Sequence, residues 1–181
     1  MRVAAVLALA AALLAFAPAA QAVESERTLE RDGETLRFRL ITHSPTAHLL
    51  EPGQVYAPVS ALDTSKRLHQ SLVAGDVESA ALLSNAPRRR FEVLRDYRSA
   101  LGEEAFRKVF EQYFDPANRL LAEVAIGRHR LLVWRLEARE RIVGQYYVEV
   151  EGRVLMDDVP SLTRRQLRRV LEAWRAGELA Q

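Results

Sequence analysis

Asp157 and Asp158 stand side by side, just ahead of Val159-Pro160-Ser161. Two adjacent carboxylates could bind a hard cation, or one could serve as a general base at the rim of an apolar pocket. The same pair also suits a strand-to-helix turn, since Asp side chains hydrogen-bond the local backbone. The turn is the simpler reading, and Asp157 and Asp158 are held as weak catalytic candidates. The four histidines, His43, His48, His69 and His129, include no pair at the i, i+4 spacing of a helical zinc site. His43 and His48 fall in a connector, where exposed histidines are expected. Nucleophile-elbow, phosphate-loop and dinucleotide signatures are absent. With no cysteine in the chain, disulfides, thiolate nucleophiles and Cys-ligated metals are excluded. No metal and no cofactor are expected.

The basic residues are almost all arginine; Lys66 and Lys108 are the two lysines. Arginine clusters in 88-RRR-90 and in 164-RRQLRR-169. In the second run Arg164, Arg165, Arg168 and Arg169 flank an apolar helical stripe. That is the pattern of a helix packed on protein with its guanidinium groups in water. The functional alternative is an acidic partner or anionic lipid head groups. Overall, 26 Lys+Arg face 24 Asp+Glu, a balance that does not point to nucleic acid.

What must position these groups can be read from periodicity. Leu36, Phe38 and Leu40 alternate with Arg37 and Arg39 after an Asp32-Gly33 turn, which predicts an N-terminal hairpin. Three prolines make 43–60 an irregular connector. Ser60 and Asp63 form a capping-box-like pair for a helix running to Ala74. Gly75 can close that helix, and Asp76 can cap the next one. Phe91, Leu94 and Tyr97 recur at helical spacing. Phe106, Val109, Phe110 and Tyr113 follow at i, i+3, i+4 and i+7. The period then drops to two. Leu120, Ala122, Val124 and Ile126 share a face, as do Leu132, Trp134 and Leu136, and then Ile142, Gly144, Tyr146, Val148 and Val150. A short fourth run turns Val154 and Met156 inward. The result is an antiparallel meander with one covered side, closed by a helix that Ser161 caps and that carries Leu167, Val170, Leu171 and Trp174.

The N-terminus carries Arg2, the apolar run 3-VAAVLALAAALLAFA-17, a break at Pro18 and the small-x-small triplet Ala20-Gln21-Ala22. These are the parts of a secretory signal. Residues 1–22 are therefore expected to be removed. The mature chain is expected in a bacterial periplasm or outside the cell, without stable membrane insertion. The remainder divides into a hairpin and connector, 23–59, and a single domain, 60–177.

The joint 70-QSLVAGDVESAALLSN-85, the aromatic helix 106–114 and strands 119–127, 129–138 and 141–150 together resemble the cone-fold superfamily of nuclear transport factor and ketosteroid isomerase. Its small exported bacterial members are the nearest in pattern. The resemblance spans roughly residues 60–157. It implies α+β architecture, with N-terminal helices packed on a curved antiparallel sheet; here a C-terminal helix is added. It also implies a concave pocket, in which enzymatic members use a carboxylate, often with a Tyr donor. On the inferred inward face this chain places Leu, Ala, Val, Ile, Trp, Gly and Tyr, with no Asp, Glu or His. Trp134 and Tyr146, with Phe110 and Tyr113, are the candidate ligand-lining residues, though plain core packing also explains the first two. The expected function is a non-enzymatic periplasmic module that binds a small apolar ligand or a protein partner. The alternatives are a cofactor-independent isomerase, dehydratase or hydrolase working through Asp157 or Asp158, and an immunity or inhibitor protein. A homodimer through an open sheet face bearing Tyr147 and Val143 is a further expectation.

Overall fold

The computed structural model describes residues 22–31 and 33–179. The expected leader, apart from Ala22, and the Asp32 half of the hairpin turn lie outside the described residues. The fold is α+β. Six antiparallel strands, β1 (Val23–Arg31), β2 (Glu34–Thr42), β3 (Arg119–Ile126), β4 (His129–Leu136), β5 (Arg141–Val150) and β6 (Arg153–Met156), form one curved sheet in chain order. The N-terminal hairpin is part of this sheet: Arg39, Leu40 and Ile41 of β2 pair with Ala125, Val124 and Glu123 of β3. Among the described residues β1 forms the outer edge, pairing with β2 alone and keeping most of its side chains in water.

Four helices fill the chain between β2 and β3, and their ends follow local chemistry. The α1 helix (Ala61–Val73) starts at Ser60, whose side chain accepts from the Asp63 amide at 3.0 Å. Such a cap stabilises a helix by about 1 kcal/mol. Gly75, at φ 77°, closes it in the left-handed region where a Cβ is penalised. Asp76 then caps α2 (Val77–Ala81) through the Ser79 amide. Next come α3 (Pro87–Leu101) and α4 (Glu103–Glu111), the latter running into a 3-10 turn over Gln112–Phe114. Phe106, fully buried, joins Leu68, Leu72, Val77, Leu83 and Leu94 in the core between these helices. The C-terminal α5 (Leu162–Arg175) is capped by Ser161, as its sequence predicts.

The sheet is covered on both faces, not one. Leu167, Val170, Leu171, Ala173 and Trp174 of α5 pack on Leu36, Phe38, Ala122, Val124, Leu131 and Val133. On the other face Ala61 and Leu62 of α1, with Phe114, pack on Leu132, Trp134, Leu136, Tyr147 and Val154. The period-2 groupings are corrected accordingly. A register shift at Leu121 leaves Leu120 opposite Trp134 but sets Ala122 opposite Val133, on the α5 side. Tyr146 pairs with Leu131, whereas Trp134 pairs with Val143. Opposed residues share a face, so Trp134 and Tyr146 lie on opposite sides of the sheet. The expected open face bearing Tyr147 and Val143 is also closed, since Tyr147 has no exposed surface beneath the helices. It is not available to a second copy.

Gly144 permits the closest approach between α5 and the sheet. A Cβ there would stand 2.7 Å from both Leu131 Cδ1 and Leu171 Cδ2. Leu131 and Leu171 are both buried, so the added methyl forces them off their rotamers. Gly144→Ala is expected to destabilise the protein by about 1–3 kcal/mol, read from the urea midpoint. Leu171→Ala in the same background should recover part of the loss.

Candidate functional site

The α1 side of the sheet does not meet the helices everywhere. A cavity of about 320 Å³ remains between β5–β6 and helices α1, α3 and α4. That is within the range of small-molecule sites. Leu68, Leu94, Tyr97, Phe110, Tyr113 and Val143 supply most of its apolar wall. Phe110 and Tyr113, two of the candidate ligand-lining residues, are thus part of a cavity wall. Their rings are stacked, 6.2 Å apart.

The polar groups of the cavity centre on Gln145. Its Oε1 accepts from Ser65 Oγ at 2.7 Å, Trp134 Nε1 at 3.0 Å and Tyr147 Oη at 3.2 Å. The indole N–H can only donate, which fixes the amide with its oxygen toward Trp134. A carbonyl oxygen with three donors has no capacity left. The two amide N–H donors at the other end have no hydrogen-bond partner among the described residues. Trp134 therefore orients the amide from behind and does not line the cavity. Tyr147 does the same, and burial raises its phenol pKa, so it stays protonated and donating.

His69 lies one helical turn beyond Ser65 on α1 and lines the same cavity. Its Nδ1 is buried without a partner, and its ring packs 4.7 Å from that of Phe114. Burial pushes its pKa down to about 4, against a smaller upward pull from the Phe110 backbone. At neutral pH the cavity wall therefore carries an uncharged imidazole, its Nδ1 covered, beside an amide with two free donors. Neither residue stands out in the sequence. His69 is one polar position in an amphipathic helix, and Gln145 reads as the outward face of a half-exposed strand.

Asp157 and Asp158 do something else. Asp157, almost fully buried, accepts from Asn85 Nδ2 at 2.8 Å and lies 3.1 Å from His129 Nδ1. The Asp158 carboxylate takes both Arg90 Nε and Nη2, at 2.9 and 3.0 Å, and the Ser84 hydroxyl at 2.6 Å. The Asn85 side chain also accepts from the Asp158 amide. The two carboxylates fasten the end of β6 to the loop between α2 and α3. Each carboxylate is held by at least two side-chain contacts.

The acid-free interior expected from the strands is corrected as well. Glu123 is buried opposite Leu132, 2.8 Å from His43 Nε2 and 3.6 Å from Arg130 Nε. His43 is largely covered, not solvated. His48 is buried too, edge-on to Trp134 with both ring nitrogens unpartnered, and burial holds its pKa below the usual imidazole range. The arginines divide. Arg164, Arg165 and Arg168 line a separate cleft with Tyr146, and Arg169 pairs with Glu34 of β2. Among the described residues no cluster of three or more His, Asp or Glu side chains is arranged to hold a metal. No helix among them is long and apolar enough to cross a membrane.

No protein-family model matches this chain, and no curated protein or solved structure matches it significantly.

Two outcomes follow for stability. Asp158→Ala strands the Arg90 charge at a site where both side chains are 20% exposed. The expected loss is about 2–3 kcal/mol, between the values for surface and buried ion pairs, measured by urea denaturation. For His69 the folded pKa lies below the unfolded value of 6.5, so the unfolded chain binds more protons between the two. Stability is then full above pH 6.5 and falls as pH drops from there toward about 4. In His69→Leu the slope of stability against pH over that window is expected to be smaller than in the parent.

Proposed function

We propose that the protein is an exported binding module of the cone type. Its cavity takes a small, mainly apolar molecule with one polar end that accepts from Gln145. A carboxamide, a protonated carboxylic acid or a hydroxyl would supply that acceptor. The observation that carries this reading is the uneven satisfaction of Gln145: one end holds three donors and the other holds none. Two N–H donors with no partner at the wall of an apolar cavity give an acceptor a place to dock. Neutral His69 supports the same reading, because an uncharged ring tolerates an apolar ligand. The Ala20-Gln21-Ala22 triplet supports export. Proton abstraction through Asp157 or Asp158 is less well supported, since each carboxylate already has at least two partners.

Trp134 donates to Gln145, so its fluorescence should report occupancy. Titration with benzamide, benzoic acid and medium-chain aliphatic amides is expected to shift the emission saturably. Gln145→Met should weaken binding about tenfold, the cost of roughly one hydrogen bond to a neutral group. Val143→Phe, which fills the cavity, should abolish it. Binding that survives Val143→Phe, or no response to any compound and no small molecule released from protein purified from its own cells, would sink the reading.

A further inference from the structure

A second hollow, about 550 Å³ in volume, lies where the first turns of α3 and α5 approach each other. Five arginines line it: Arg89 and Arg90 from α3, and Arg164, Arg165 and Arg168 from α5. Asp158 is the carboxylate among its lining residues, and it is already engaged by the Arg90 fork. Arg168 has a distant, exposed contact with Glu172 at 3.8 Å. Arg89, Arg164 and Arg165 make no ion pair with any described residue. Arg164 instead lies over the ring of Tyr146, 5.2 Å from its centroid.

The placement of these charges is unfavourable for the empty protein. The positive end of a helix dipole favours acidic residues and disfavours cations. Neither α3 nor α5 has an acid in its first turn, and both carry arginines there. Some arginines elsewhere have found carboxylates, as Arg119 has with Glu137 and Arg107 with Glu103, while others, Arg37 and Arg128 among them, stand alone; convergence is what sets the cleft apart. Here several unmatched guanidinium groups face one concavity. Their planar forks fit tetrahedral oxyanions bidentately. A single carboxylate would leave most of the charge unbalanced, and a flat bilayer cannot enter a hollow of this form.

We propose that this cleft binds a compact, multiply charged phosphate group, of the diphosphate or triphosphate kind, gripped by Arg89, Arg164 and Arg165 above Tyr146. The phosphate could be free or could be the head of a small phosphorylated molecule. Either presents the same oxygens to the same forks. The proposal does not rest on what fills the apolar cavity, although Arg90 and Val93 border both hollows.

Calorimetric titration of the purified chain tests this with inorganic pyrophosphate, tripolyphosphate, citrate and oligoglutamate at low and physiological ionic strength. Pyrophosphate and tripolyphosphate are expected to bind one to one and more tightly than citrate. Adenosine diphosphate, competed by pyrophosphate, shows whether a phosphate carried on a larger molecule enters as well. The double variant Arg164→Gln/Arg165→Gln should lose at least tenfold in affinity, while Arg119→Gln, remote from the cleft, should not. Without ligand, the double variant should melt at a higher temperature than the parent, because it relieves like-charge crowding at a helix N-terminus. The proposal is overturned if pyrophosphate does not bind, if both variants respond alike, or if oligoglutamate is preferred. That last result would mark a docking site for an acidic protein. Capture by phosphatidylglycerol vesicles without any pyrophosphate binding would overturn it too.

Discussion

The helical layer is spliced to the sheet where Leu83–Asn85 meets Met156–Asp158. Met156 donates its amide to Leu83 at 2.7 Å, and its carbonyl accepts from Asn85 at 3.0 Å. Asn85 then reads both aspartates with its side chain, and Arg90 clamps the second one. This splice sets the height of α1–α4 above β5 and β6, and so decides that a cavity is left behind Gln145. It also sets the start of α3 against the start of α5. The adjacent acids are thus structural fasteners. Their burial is tolerable because every carboxylate oxygen has at least one partner.

The two hollows differ in the physics available to them. The one under α1 is walled by Leu, Phe and Tyr side chains and carries a neutral imidazole and an amide. Shape and a few hydrogen bonds are what such a surface has to offer. The one beside α5 is charged and open, where attraction is long in range but weakened by salt. Arg90 and Val93 border both. Arg90 is tied down by Asp158, so the wall between the hollows is held by a bidentate ion pair.

Local chemistry made the helices legible. Ser60, Gly75, Asp76 and Ser161 each end or begin a helix where an unpaired backbone group or a positive φ calls for that residue type. The α+β class, the strand positions and the two cavity aromatics Phe110 and Tyr113 were legible for similar reasons. The assignment of faces was not. Leu131-Leu132-Val133-Trp134 is a continuous apolar run, as a strand buried on both sides must be, and period two cannot sort it. The register shift at Leu121 inverts parity within β3 besides. Gln145 and Glu123 looked outward because polar residues in strands ordinarily do. Their inward placement depends on partners far off in the chain, Ser65 and His43, which no local pattern reveals.

The outer edge of the sheet constrains how copies of the molecule can meet. The β1 segment VESERTLER exposes its free backbone row on one side. A second copy adding there in symmetric antiparallel fashion about Arg27 would set Arg27 against Arg27 and Glu24 against Glu30. Both of these charge matches repel, so the strand that forms this edge among the described residues carries its own deterrent to fibril-like stacking.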